Sequence, residues 1–263
     1  MTTDGGVETD LSAAHENFVE AYRLVARALP GGDVLELPGG CALATGEREP
    51  EFNRAFLAGP QSPETAAGAI GEMRAFYAEQ GLPWMLIVAD AAVAAVQAAV
   101  VGRGFVPGRL MPGMVMNPLE GERTAVPGLV IEAVTSAALG EIFAHVLADG
   151  FGTTLELART FVAPGAIDSA GVTHYLGWLD ERPVAAATRV TTGRMAGIYN
   201  VTTVREARRT GIGTAMTWEA ALAGLDEGCS ASTLQATVQG FSVYQRMGYR
   251  HVTTYRSWYW LDR

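Results

Sequence analysis

The chain has 263 residues, 49% hydrophobic and 18% charged, enough to bury a sizeable core in one large domain or two small ones and too apolar for global disorder. A formal net charge of -9 excludes a general nucleic-acid binder, which carries a basic face, and is compatible with a small cationic partner. Two cysteines, Cys41 and Cys229, are too few for a disulfide framework, and His15, His145, His174 and His251 are scattered without ligand spacing, so no metal site is expected.

The opening MTTDGGVETDLSAAHENF lacks a basic stretch followed by an apolar core. No signal peptide is expected, and the setting reads as soluble, reducing and cytoplasmic. FNRAFLAG (52–59) reads as a strand. Residues 63–80 read as a helix, with Pro63 in its first turn and Gly81 beyond its end. PWMLIVAD (83–90) reads as a strand, 91–103 as a helix stopped at Gly104-Phe105, and RLMPGMVM (109–116) as a strand. The apolar run IVADAAVAAVQAAVVG is broken by Asp90 and Gln97 and is shorter than the ~20 residues of a membrane span, so it reads as buried amphipathic helix with no membrane contact.

NPLEGERTAVPG (117–128), with two prolines and two glycines, reads as a linker, placing one domain over 1–120 and another over 121–263. RVTTGRM (189–195) reads as a hairpin flanked by two surface charges, Arg189 and Arg194. AGIYNVTTV (196–204) reads as a strand, 211–227 as a helix ended by Gly228, SASTLQATV (230–238) as a strand, GFSVYQRM (240–247) as a short helix and YRHVTTYRSWYWL (249–261) as a last strand. Trp258 and Trp260 alternate with Tyr259 there and are expected to pack. The order of elements is the same in both halves. Asn53 and Asn200, and Gly81 and Gly228, match at an offset of 147, and Gly104 and Gly248 at 144. The sequence therefore predicts an α/β fold built as a tandem repeat around mixed sheet.

The chemistry concentrates in Arg208-Arg209-Thr210-Gly211-Ile212-Gly213, between a strand and a helix. A helix N-terminus offers free N–H groups and a positive dipole end, glycines let backbone approach an anion, and arginines add charge-assisted donors. The turn reads as a pyrophosphate cradle. It is not a P-loop, since no lysine follows, and not a dinucleotide fingerprint, since Met216 stands where a third glycine belongs.

From Val201 to Tyr249 the chain resembles the GNAT superfamily of acyl-CoA-dependent N-acetyltransferases. The resemblance rests on a strand entering an R-x-x-G-x-G turn, then a helix, a strand, and a short helix carrying Tyr244-Gln-Arg-Met-Gly248-Tyr249. It implies two tandem units, each a central mixed sheet flanked by helices, and acetyl-CoA as co-substrate without a metal. It further implies that Val201, Thr202 and Thr203 line the pantetheine arm, and that Arg208, Arg209, Thr210, Gly211, Ile212, Gly213 and Thr214 surround the pyrophosphate. Thr237 stands where many members have an asparagine contacting coenzyme A, and Tyr244 is the expected donor of a proton to the leaving thiolate. No glutamate lies on AGIYNVTT or STLQATV to act as base, so water, Asp149 or Glu156 is the expected proton acceptor.

At the repeat offsets, Arg208, Gly211 and Gly213 fall on Gln61, Glu64 and Ala66, and Tyr244 falls on Val100, so the first half resembles the same fold emptied of its cofactor site. Tyr175, Trp178 and Tyr199 are expected to border the acceptor pocket. The expected activity is acetyl transfer to a primary amine of a small molecule, with the negative net charge on the side of a cation, by direct attack on the thioester, in a monomer or homodimer. The alternative is a non-enzymatic acyl-CoA-binding or regulatory module, which the missing glutamate favours.

Overall fold

The structure, a computed structural model, describes residues 4–261 apart from 60 and 168, with side chains from Thr9 onward. α1 (Asp4–Ala28) opens the chain and buries Ala14, Phe18, Ala21 and Ala26 at helical spacing. β1 (Asp33–Leu37) and β2 (Gly40–Ala44) form a hairpin, followed by β3 (Arg54–Leu57). α2 (Pro63–Gln80) begins where the Ser62 hydroxyl accepts from Thr65 N–H and ends at Gly81, which adopts φ +63. β4 (Trp84–Ala89) is buried at every residue, as a central strand should be. The amphipathic-helix reading of the run that follows holds only from Asp90: residues 87–89 complete β4, α3 spans Asp90–Val100, and β5 spans Phe105–Met116.

The second half runs β6 (Leu129–Ala133), α4 (Ala137–Phe151), α5 (Leu155–Arg159), α6 (Pro164–Ile167), β7 (Val172–Leu179), β8 (Arg182–Thr192), β9 (Met195–Thr203), α7 (Ile212–Asp226), β10 (Ala231–Gln235), α8 (Phe241–Arg246) and β11 (Arg250–Trp260). The segment 117–128 has no helix or strand, yet it is fastened down. Leu119 is buried, and Arg123 donates to Glu219 at 2.9 Å and Asp226 at 2.8 Å on α7.

All eleven strands form one sheet in the order β1-β2-β3-β4-β11-β5-β10-β9-β8-β7-β6. Each half lends its last strand to the other. β5 lies between β11 and β10, while β11 lies between β4 and β5. Opposite faces of the strands bury different helices. Leu86 and Val88 pack in the cluster under α2 and α3, whereas Met85 and Ile87 pack with Phe18 of α1. Trp258 joins the first cluster with Trp260 against it, and Tyr259 lies with the second. In the second half, Ile198 and Leu234 face Met216 and Ala220 of α7, and Leu176 and Ala186 face Phe143 of α4. No helix among the described residues is long and apolar enough to cross a membrane.

Two expectations are corrected. The repeat holds for the helix ends but not for the strands, because the parallel ladder starts at Arg54 with Met85 in the first half and at Met195 with Ala231 in the second. Asn53 therefore precedes its strand, fully buried and bonded to Thr45 N–H, Glu47 O and Pro83 O, while Asn200 lies inside β9. Arg189 is not a surface charge: it is 1% exposed, and its Nη2 donates to both Glu227 carboxylate oxygens at 2.6 Å. Gly224 of α7 makes the room, since a Cβ there would stand 3.3 Å from Arg189 Cδ. Arg194 is exposed, at the hairpin between β8 and β9.

Candidate active site

The parallel pair β9–β10 stays in register only from Met195–Ala231 to Gly197–Thr233. Beyond that, β9 continues beside β8 and β10 beside β5, so the two strands part. The first-half pair β3–β4 holds register over all of β3, from Arg54–Met85 to Leu57–Val88, and does not open. A bulge accompanies the parting. Ala186 faces Thr202 but Thr188 faces Tyr199, so β9 carries one extra residue, and Asn200 adopts φ +54.

β9 leads through a 3-10 turn, Arg205–Ala207, into the glycine turn. Arg209 and Gly211 both take left-handed backbone, φ +66 and +87, and Gly211 is the N-cap of α7. No side chain caps this helix, in contrast to α2 and α4, whose first turns are capped by Ser62 and Ser136. The first-turn N–H groups of Ile212, Gly213 and Thr214 are thus left for an external anion, and Arg208 through Gly211 are exposed around them. Gly213 is not a steric necessity, as an added Cβ would meet nothing closer than Thr203 Oγ1 at 3.8 Å. Arg208 is committed elsewhere: its Nε donates to Thr203 O at 2.9 Å and its Nη2 to Gly150 O at 2.7 Å, tying the end of α4 to the end of β9. Arg209 is the arginine of this pair whose side chain has no bond among the described residues. Thr210 donates to Ala207 O at 2.7 Å, which closes the turn.

Along the parting strands, Val201 packs on the α7 side and Thr202 is buried against Gly150, where a Cβ would lie 2.2 Å from Thr202 Oγ1. Thr203 and Thr214 are half-buried. Gln235, at the open end of β10, has a buried side-chain nitrogen without a hydrogen-bond partner. An orphaned donor at this point fits an amide-bearing chain such as pantetheine. The residues present therefore fit an acyl-CoA in this cleft. Among the described residues no His/Cys/Asp/Glu group is placed to hold a metal.

Tyr244 on α8 packs against the α7-side cluster, 6.0 Å from the Tyr249 ring. Burial pushes its hydroxyl above the ordinary tyrosine pKa, and a hydrogen bond with Thr217 of α7 partly offsets this. Tyr249 is held separately, its hydroxyl 2.7 Å from Ser232 Oγ. Thr237 is exposed, and its hydroxyl accepts from Gly240 N–H at 3.0 Å, shaping the entry to α8.

Of the acid candidates, Asp149 sits in the last turn of α4 and Glu156 in the first turn of α5, both exposed. Of the three aromatics expected at an acceptor pocket, Tyr175 packs on the α7 side and Trp178 in the α4 cluster. Trp178 also borders an open depression with Val130, Glu132 and Glu181, away from the parting strands. Tyr199 lines a cavity beside them, with its hydroxyl donating to Asn17 of α1 at 2.6 Å. That cavity lies between α1, the α5–α6 segment and β7–β9. It is a slot of about 430 Å³ of empty space, open solvent at its mouth included.

Two slot residues were invisible to motif reading. His174 is 3% exposed, and burial alone pushes its pKa down to about 4. Its Nδ1 is 2.9 Å from Thr188 Oγ1, which also accepts from Asn200 Nδ2 at 3.2 Å, while its Nε2 has no partner. Tyr22 comes from the first half and is itself covered by the Arg54 guanidinium, 3.6 Å from its ring centre. The signal was in principle available as a buried histidine on an alternating strand, but strand histidines carry no motif.

In the first half the positions matched by the repeat offsets are occupied differently. Gln61 donates to Gly39 O and Ala58 O and fills the turn before α2. Glu64 adds a carboxylate at the helix start, its pKa lowered by its own backbone N–H and the Ser62 hydroxyl. Val100 is fully buried at the end of α3.

The arrangement is a mixed sheet whose central parallel strands part beside a bulge, above an uncapped helix N-terminus. No family model matches the sequence, and no curated protein does. The fold is that of the GCN5-related N-acetyltransferases in tandem form. A GCN5-related N-acetyltransferase from Kribbella flavida superposes with a TM-score of 0.72 at 19% identity, covering 94% of this chain and 95% of that one. A tandem GNAT protein from the clavulanic acid biosynthesis pathway, of known structure without acetyl-CoA, gives 0.60 at 13% identity over 94% of both chains. A GCN5-related N-acetyltransferase from Sphaerobacter thermophilus gives 0.62 at 12% identity, over 84% of this chain and 76% of that one.

Proposed function

We propose that the protein is an acetyl-CoA-dependent N-acetyltransferase acting on a primary amine of a small molecule, with one working cleft, in the second half. The observation that carries this is the parting of β9 from β10 directly above the uncapped N-terminus of α7. The N–H groups of 212–214 and the Arg209 guanidinium bind the pyrophosphate, with Thr210 and Gly211 shaping the turn. Arg208 holds the loop to α4. Val201, Thr202 and Thr203 offer backbone to the pantetheine arm, with Thr237 at its edge. Backbone donors of the opened β9 polarise the thioester carbonyl, and positioning supplies most of the rate. Tyr244 gives its proton to the departing sulfur. Asp149 and Glu156 are exposed, which supports water as the proton acceptor.

The test combines a thermal-shift titration with acetyl-CoA, coenzyme A, NAD and ATP and a thiol-release assay over a panel of amines. A shift selective for the coenzyme A species, with thiol release, is the expected result. Binding without release for any amine would favour a non-enzymatic acyl-CoA-binding module, the reading to which the carboxylate-free cleft strands also point.

A further inference from the structure

We propose that the slot under α1 is the acceptor pocket, and that it selects a small primary amine with a narrow apolar body whose far end carries an uncharged hydrogen-bonding group, read by His174 Nε2. The inference rests on the transferase reading above and deepens it.

The slot starts beside the parting of β9 and β10. Tyr199 and Asn200, at the bulge where β9 leaves β10, form one end. His174 on β7 forms the other, with Thr188 of β8 between them. β7 and β9 are two strands apart, so their backbones are separated by roughly 10 Å, while the His174 and Asn200 side chains converge on Thr188 Oγ1 at 2.9 and 3.2 Å. Between them the walls are aliphatic or aromatic: Ala21, Leu24 and Val25 of α1, Phe161 and Val190. Among the described residues, none lining the slot is charged.

His174 is fixed at the far end. The Phe143 ring stands 4.8 Å away, and Thr188 occupies Nδ1. His174 Nε2 is buried without a hydrogen-bond partner in a residue that lines the slot, so a ligand group that reaches it removes an unsatisfied polar atom. Burial keeps the imidazole neutral at physiological pH, which suits a hydroxyl or carbonyl and gives no attraction to a second charge. A polycation meets neither shape nor charge here, so the small net negative charge of the chain is not the guide to the substrate.

The probes are tyramine, which carries a hydroxyl at the far end of an aromatic amine, phenethylamine, which lacks it, and spermidine. Thiol release with acetyl-CoA is expected to favour tyramine over phenethylamine by tenfold or more in kcat/KM, with spermidine below both. In His174→Leu the tyramine preference collapses to about one, while the acetyl-CoA thermal shift stays as in the wild type. His174→Gln, which keeps a polar end, retains part of the preference. An unchanged preference in His174→Leu, or spermidine as the best acceptor, overturns the proposal. Occupancy is read apart from transfer by calorimetry of tyramine in the presence of coenzyme A, with Ala21→Phe as the slot-filling variant. Tyramine binding that Ala21→Phe abolishes, with no thiol release from any amine, overturns the transferase reading and leaves the slot standing. Absence of tyramine binding overturns the slot.

Discussion

Replacing Gly211 by aspartate separates fold stability from anion binding at the α7 turn. Gly211 adopts φ +87, a region that costs a residue with a Cβ about 1–2 kcal/mol. The space itself is open, because the nearest atom to an added Cβ is Val126 Cγ2 at 3.7 Å. An aspartate there also gives α7 the side-chain cap it lacks and a favourable charge on the helix dipole, restoring about 1 kcal/mol. The net change in stability is ~0–1 kcal/mol, a shift of a few degrees in Tm for a chain of this size. Binding responds differently. A carboxylate ~4 Å from a phosphate charge repels it by ~1 kcal/mol at the dielectric of water and ~4 kcal/mol at that of a protein surface. That range corresponds to acetyl-CoA binding weakened by about 5-fold to 1,000-fold. Gly211→Ala carries the backbone strain without the charge and is the control. Calorimetry of acetyl-CoA at two ionic strengths is the assay. We expect both variants to melt within a few degrees of wild type, Gly211→Ala to bind nearly normally, and Gly211→Asp to lose affinity in a salt-dependent way. Equal affinity for the two variants would refute the cradle.

Three further outcomes are expected. Tyr244→Phe lowers kcat by about 100-fold and leaves the acetyl-CoA Kd unchanged; since burial raises the Tyr244 pKa, wild-type activity holds to pH 10, and an unaltered kcat in the variant sinks the proton-donor role. Calorimetry is expected to find one acetyl-CoA per chain, because α2 is capped by Ser62 and carries Glu64 at its start; two equal sites would overturn the proposal of a single working cleft. His15 and His174 are both held neutral by burial, with pKa values lowered from 6.5 to about 4. A base whose folded pKa is depressed leaves stability intact above its unfolded pKa and removes it as pH falls from there to the folded pKa. Each histidine then removes up to about 3 kcal/mol between pH 6.5 and about 4, so urea midpoints should fall steeply across that window. His174→Gln should flatten the fall, and a flat profile in the wild type would contradict the assignment.

The second-half cleft was legible because its determinants are contiguous. The strand 196–204, the turn 208–213, the helix to 227 and the Tyr244–Tyr249 signature lie in one stretch, and local chemistry dictates each. The helix 63–80 was legible to the residue for the same reason, with Pro63 and Gly81 marking its ends, and the structure adds the Ser62 cap. Arg189 was misread because its neighbours suggest a hairpin tip, whereas β8 runs on to Thr192 and a glycine on a distant helix opens the space for the guanidinium. The strand alignment failed because glycine stops locate helix ends, while ladder register depends on pairing partners that sequence spacing does not carry. The slot was invisible altogether. It needs α1, β7 and β9, brought together across more than 170 positions, as the Tyr199–Asn17 hydrogen bond illustrates.

That long-range construction gives the first half a structural part in the second-half cleft. β5 is the neighbour on which β10 continues when it leaves β9, with Thr233 donating to Met114 O at 3.0 Å, so a first-half strand supports one lip of the cleft. α1 roofs the slot, and Phe52 meets Phe161 across the halves at 5.5 Å between ring centres. In exchange, β11 fills the place between β4 and β5, with Tyr255 fully buried among first-half residues. Cutting the chain within 117–128 therefore removes a central strand from each product. Residues 1–120 alone lack the strand that separates β4 from β5, and 121–263 alone lack both the support of β10 and the roof of the slot. Expressed singly, each piece is expected to be insoluble or unfolded by circular dichroism. Co-expressed, the two should assemble one-to-one and recover acetyl-CoA binding, since the interface is the middle of a sheet with its own register. A second-half fragment that folds alone and binds acetyl-CoA with full affinity would show that the exchange of strands is dispensable, and the first half would then need another reason to be there.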